Sequence, residues 1–136
     1  MAFIKADPQK AIGNKNKEGI VYILIMVVDG HEVYKIGVTS RDTVKDRVLE
    51  IVGSHLNVYR FVPYTYPKRF RKTKDIYEKE KILHEHFKKC RYESEKNFGG
   101  CKELFMVDDM EYLLEVYEKV LDGKDIGEMY ENKTDI

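Results

Sequence analysis

The sequence predicts an α/β domain built on a small three-stranded antiparallel sheet flanked by helices, and three observations predict it. One continuous apolar run, Ile20 to Val28, is rich in β-branched residues and short for a helix. The pair Asp29-Gly30 separates it from a second apolar run, Val33 to Thr39, a strong short-range hairpin signal. Beyond residue 40 the apolar spacing turns from strand-like to helix-like.

Taken in order, Ile20 to Val28 reads as a central strand covered on both faces, and Val33 to Thr39 as its hairpin partner. From Arg41 to Val52, Val44, Val48, Ile51 and Val52 recur at helical spacing, and Gly53 offers a C-terminal stop. Asn57 to Tyr66, rich in Val, Tyr and Phe, reads as the third strand, and Pro63 marks it as an edge or an early end. Asp75 to Cys90 is a second helix that buries Ile76, Leu83 and Phe87, with Tyr77 and His84 along one side. Leu104 to Val107 is a short extended segment. Asp108 and Asp109 cap a third helix with Met110, Leu113, Leu114, Tyr117 and Val120 on its core face. The expected division is a mobile arm over 1–18, a domain over 19–107, a helix packed on it over 108–122, and an acidic polar tail over 123–136.

The chain of 136 residues, 43% hydrophobic, suits one domain with a genuine core. No apolar run approaches the roughly 20 residues of a membrane span, and residues 1–17 lack the apolar block of a secretory signal. Two isolated cysteines, Cys90 and Cys101, suggest reduced thiols and a cytoplasmic protein. The net charge of zero conceals a polarity. Residues 1–102 hold 21 Lys/Arg against 13 Asp/Glu, and residues 103–136 hold 3 against 11. The basic part suits nucleic acid; the acidic end suits a protein partner or the chain's own basic face.

Glu80 is the most informative residue. At about 100° per residue it points within the arc of Ile76, Leu83, Phe87 and His84, whereas Glu78 and Glu85 point away. A carboxylate aimed at the core needs a cation or strong donors in place of its lost water, so either an ion pair with a core-edge Arg or Lys or a bound metal should face it. His84 and His86 diverge on the helix and do not make a zinc site with the cysteines.

Gly19-Ile20-Val21-Tyr22 followed by Tyr34-Lys35-Ile36-Gly37 resembles the paired strand motifs of the GIY-YIG nuclease superfamily, in the phage-associated branch that carries K-I-G. Arg41-Asp42, Arg47, the helix Glu80-Lys-Ile-Leu83-His84-Glu-His-Phe87 and Glu103-Leu-Phe105 follow in that branch's order, so the resemblance covers about Gly19 to Val107. It implies a DNA endonuclease or nickase using one Mg²⁺ or Mn²⁺ ion, with Glu80 holding the metal, Arg47 binding the scissile phosphate, and His84 positioning phosphate or the general base. That base is one of Tyr22, Tyr34 or Lys35, the last standing where the broader superfamily has tyrosine. In such a reaction the cation neutralises the leaving oxygen and Arg47 the non-bridging oxygens.

Lys68-Arg69-Phe70-Arg71-Lys72-Thr73-Lys74 packs five cations around an aromatic. It reads either as a solvated loop or, with Arg41, as a DNA contact made by Lys68, Arg69, Arg71, Lys72 and Lys74. A binding module without catalysis is the competing reading.

Overall fold

The computed structural model describes residues 17–127, so most of the expected arm and the end of the expected tail lie outside it. Its elements are β1 (Gly19–Val28), β2 (His31–Thr39), α1 (Lys45–Tyr59), β3 (Thr65–Thr73), α2 (Ile76–His86), β4 (Leu104–Phe105) and α3 (Met110–Leu121). Short 3-10 turns at Lys88–Cys90 and Cys101–Glu103 lie between α2 and β4.

The sheet is antiparallel with order β3-β1-β2-β4, which corrects the expected three strands to four. The added strand is the short segment around Leu104, paired Lys35↔Leu104 and Tyr34↔Phe105. With only two residues it has no period to read in sequence, and its position beside β2 is what makes it a strand. β1 is internal and buried on both faces, as its unbroken apolar run requires. The hairpin turns at Asp29 (φ 53) and Gly30 (φ 79), both left-handed as a two-residue turn of the primed type demands.

The pleat sorts the strand residues into two cores. Val21, Ile23, Ile25, Tyr34 and Ile36 face α2 and α3, while Ile20, Tyr22, Leu24, Met26 and Val33 face α1 and the Phe98–Cys101 loop. The result is a three-layer arrangement with the sheet in the middle. The Tyr117 hydroxyl donates to the Val21 carbonyl at 2.7 Å and pins α3 onto the central strand. At the start of α3 the Asp109 carboxylate caps the Tyr112 N–H at 3.1 Å.

Several boundaries differ from expectation: α1 begins at Lys45 instead of Arg41, α2 ends at His86 instead of Cys90, and the largest shifts are at the end of α1 and the start of β3. Gly53 does not end α1, which runs on to Tyr59 and stops at left-handed Arg60 (φ 71). An interior Gly costs about 1 kcal/mol relative to Ala, and burial of His55 with its stack on Tyr59 at 4.3 Å offsets that cost. The third strand therefore begins at Thr65 instead of Asn57 and takes in most of the basic segment expected to be a loop. It is an edge, as Pro63 suggested, and Pro67, a bulge opposite Ile23/Leu24 and its cations discourage further pairing.

Candidate functional site

The site gathers where α2, the end of β2 and the 3-10 turn before β4 meet. Glu80 is only 4% exposed, as its helical position predicts. One of its carboxyl oxygens lies within 4.8 Å of one from Glu103, which the 3-10 turn before β4 delivers. His84, one turn beyond Glu80, lies with Nε2 2.8 Å from the Ile36 carbonyl oxygen and 3.9 Å from Glu80 Oε2. A carbonyl only accepts, which assigns the proton to Nε2 and leaves the lone pair on Nδ1. One ligand-type atom each from Glu80, His84 and Glu103 lies within 4.8 Å of the others.

Lys35 reaches this group from the α1 face. Its ammonium is fully buried and pairs with Glu103 Oε1. Burial pushes the Glu103 carboxyl up, but Lys35, with smaller help from His84 and Glu80, outweighs it and holds the carboxyl below the ordinary range. Two glycines leave room for the lysine. A Cβ on Gly37 would stand 2.5 Å from the Tyr22 hydroxyl and 2.9 Å from Lys35 Nζ, and one on Gly100 would stand 2.7 Å from Lys35 Cε. Tyr22 is fully buried beside them, with Lys35 Nζ 5.5 Å from its ring centre.

The Tyr22 hydroxyl closes no hydrogen bond of normal geometry, although the Arg47 guanidinium stands beside it. Arg47 donates to Glu50 at 3.0 Å. Its burial favours the neutral form, but Tyr22, Glu50 and Glu103 override that and raise its pKa, so it stays charged. Arg47 and Glu103 line one pocket of ≈ 530 Å³ with Asn97, Gly100, Cys101 and Lys102. The site is thus a chain of contacts, Glu80 to Glu103 to Lys35, with Tyr22 and Arg47 alongside, open to solvent through that pocket.

Of the residues singled out from sequence, Tyr22, Lys35, Arg47, Glu80 and His84 are brought together. Tyr34 is not, because the pleat turns it to the other face. There, burial, Glu32 and Tyr66 raise its pKa. Arg41 shares Glu50 with Arg47, at 2.7 Å. Arg69 and Arg71 are turned toward α3 and held by Glu118 at 2.6 and 2.7 Å, and Arg71 also by Asp122 at 2.6 Å. The chain's own acidic helix therefore covers two of the cations expected to meet DNA. Lys72 is 3.9 Å from Asp42, both highly exposed, while Lys68 is half-buried and Lys74 exposed. Glu103 appeared in sequence only as part of a short motif, and Asn97 carried no signal at all. Both act through loop placement that periodicity does not reveal. Cys90 and Cys101 are free thiols.

A family model, the T5orf172 domain, matches residues 19–122. The chain belongs to the T5orf172 domain family. This corrects the resemblance drawn from the strand motifs, since the matching family is T5orf172 and not the GIY-YIG superfamily. Motifs of three or four residues fix local chemistry more firmly than they fix family. The T5orf172 match runs to Asp122, the C-cap of α3, and so takes in the helix whose Glu118 binds β3. No curated protein and no solved structure matches the chain. No described helix is long and apolar enough to cross a membrane.

Proposed function

We propose that this T5orf172 domain acts on DNA as a phosphodiester hydrolase, with one divalent cation held between Glu80 and Glu103. The observation that carries the reading is the convergence of carboxyl oxygens from Glu80 and Glu103 with a His84 nitrogen within 4.8 Å of one another. Two acids so close, one of them buried, cannot both ionise without added positive charge. Two carboxylates with an imidazole nearby suit Mg²⁺ or Mn²⁺, and the proton on His84 Nε2 leaves the oxygens as the first ligands. Such a cation would neutralise charge on the leaving oxygen of a phosphodiester.

The chain's own side chains supply the rest. Arg47, charged and on the pocket wall, pairs with non-bridging phosphate oxygens. Lys35, through its pair with Glu103, adds positive charge to the site, and the Tyr22 hydroxyl, which closes no hydrogen bond of normal geometry, exchanges a proton with the attacking water. His84 orients Glu80 and is itself fixed by the Ile36 carbonyl. DNA is the substrate class favoured by the basic composition of residues 1–102 and by the DNA-related role that family membership makes plausible.

The test is plasmid nicking in Mg²⁺ or Mn²⁺ by wild type, Glu80→Ala and Arg47→Ala, with DNA affinity measured alongside. Both variants should lose cleavage, and Glu80→Ala should retain affinity, since the metal acts mainly in the transition state. Unchanged nicking by Glu80→Ala would refute the assignment. The second reading, a DNA-binding module without catalysis, is favoured by the Lys35–Glu103 ion pair, which already gives one carboxylate a positive partner.

A further inference from the structure

We infer that the groove between the start of α1 and the end of β3 is a nucleobase-stacking subsite, which makes single-stranded or locally unpaired DNA the preferred substrate. This rests on the DNA-directed reading above and names its substrate class.

The groove has a volume of ≈ 450 Å³, and its walls include Ile20, Val48, Leu49, Pro67 and Phe70. Leu49 is 57% exposed and Phe70 56%. An exposed aromatic on an edge strand gains nothing for the fold, because its ring surface stays in water. Three features say what covers it. First, Phe70 is the cross-strand partner of Tyr22, so the groove lies on the same face of the sheet as that proposed catalytic side chain. Second, cations border it. Lys45 and Asp42 line the groove, and Lys72, paired with Ile20, projects from the same face 3.9 Å from Asp42, which leaves an excess of one positive charge among the three. Third, Arg47, which lines the separate pocket that holds Glu103, stands on α1 with Lys45, Val48 and Leu49 of the groove wall, so one helix carries both.

An apolar cleft containing one exposed ring and bordered by two lysines and one aspartate suits a nucleotide whose base has left its stack. The base lies against Phe70 and Leu49, and the flanking phosphates meet Lys45 and Lys72. A base paired within a duplex presents no face to such a ring. The contact therefore selects for unpaired strands through shape and stacking, with no hydrogen-bond code.

The experiment measures binding of a labelled single-stranded oligonucleotide, and of the duplex of the same sequence, by fluorescence anisotropy in EDTA. Wild type is compared with Phe70→Ala, Phe70→Leu and Phe70→Tyr; thermal melts confirm folding. Wild type should prefer the single strand. Phe70→Ala and Phe70→Leu should both lose at least about fivefold in single-strand affinity, Phe70→Tyr should keep it, and duplex binding should not move. Wild-type affinity in Phe70→Leu would show that an apolar side chain suffices and would overturn stacking, as would equal losses for single strand and duplex. If Phe70→Ala converts a dimer to a monomer with single-strand affinity unchanged, the groove is a self-interface and the inference fails. Because no metal is present, this outcome is separate from catalysis. Loss of nicking in Glu80→Ala with no effect of Phe70 would sink the subsite alone, and a Phe70 effect with Glu80→Ala still active would sink the metal assignment alone.

Discussion

Glu103 holds the Lys35 ammonium from across the β2–β4 edge, and the two come from segments that share no sequence pattern. The lysine is fully buried and the glutamate about one quarter exposed. Removing the acid thus strands a charge, while removing the pair need not. Glu103→Gln should cost about 3–5 kcal/mol in urea unfolding. Lys35→Met with Glu103→Gln should recover most of that loss, giving a strong coupling in a double-mutant cycle. Since the Glu103 carboxyl is depressed in the fold, its contribution is complete above the ordinary 4.5 and lost as pH falls through the lower folded value. Additive losses in the cycle would contradict the pairing.

The salt dependence of DNA binding separates the two faces of β3. Arg69 and Arg71 serve Glu118 and Asp122, so replacing both with Ala should leave the slope of log Kd against log salt unchanged. Their exposed ion pairs should cost only about 0.2–1 kcal/mol of stability each. Lys45→Ala with Lys72→Ala should flatten the slope by about 0.7 per lysine on single-stranded DNA. A flattened slope in the arginine variant would mean that α3 releases those side chains to the substrate.

Asp29 ties the β1–β2 turn to the rest of the chain, accepting from Tyr59 at 2.7 Å, Tyr92 at 2.6 Å and the Glu95 N–H at 2.8 Å. Burial pushes its carboxyl up, but these three donors together hold it below the ordinary 3.8. The stability it supplies is therefore complete above 3.8 and lost as pH drops through the folded value. Asn tolerates the left-handed backbone at this position, so Asp29→Asn should cost about 1–2 kcal/mol at pH 7 by losing charged acceptors. Melts from pH 7 to pH 2.5 should show that gap narrowing below 3.8. A gap independent of pH would show that the charge is irrelevant.

Gly37 is required by its neighbours and not by its backbone. An added methyl meets the Tyr22 hydroxyl at 2.5 Å and the ring carbon bearing it at 2.7 Å, and a buried ring cannot step aside as a chain end can. Gly37→Ala should fold with a loss of about 1–3 kcal/mol and lower kcat far more than it alters KM. An unaffected kcat would remove Tyr22 from the proton-transfer role.

The strands at the centre were legible because their burial is written in composition. The run Ile20–Val28 could only be covered on both sides, and Asp29-Gly30 could only turn one way. Glu80 was legible because helical periodicity alone set its acid against Leu83 and Phe87. What failed was governed by partners remote in sequence. Arg69 and Arg71 looked like solvated or DNA-facing cations until Glu118 arrived from α3, and Gly53 looked like a stop until His55 and Tyr59 were packed. Glu103 and Asn97 lie outside the long helices and strands, where neither 3.6- nor two-residue spacing applies. The strand motifs led to side chains that the fold brings together, and to a family name that the T5orf172 match replaces.

Whether Glu80 and Glu103 together hold a divalent cation is read from anomalous diffraction of crystals soaked in Mn²⁺. A Mn²⁺ peak should stand about 2.0–2.2 Å from a carboxylate oxygen of each residue and be absent after the same soak of Glu80→Gln crystals. A wild-type crystal with no peak between the two carboxyl groups, at Mn²⁺ concentrations that support nicking, would contradict this.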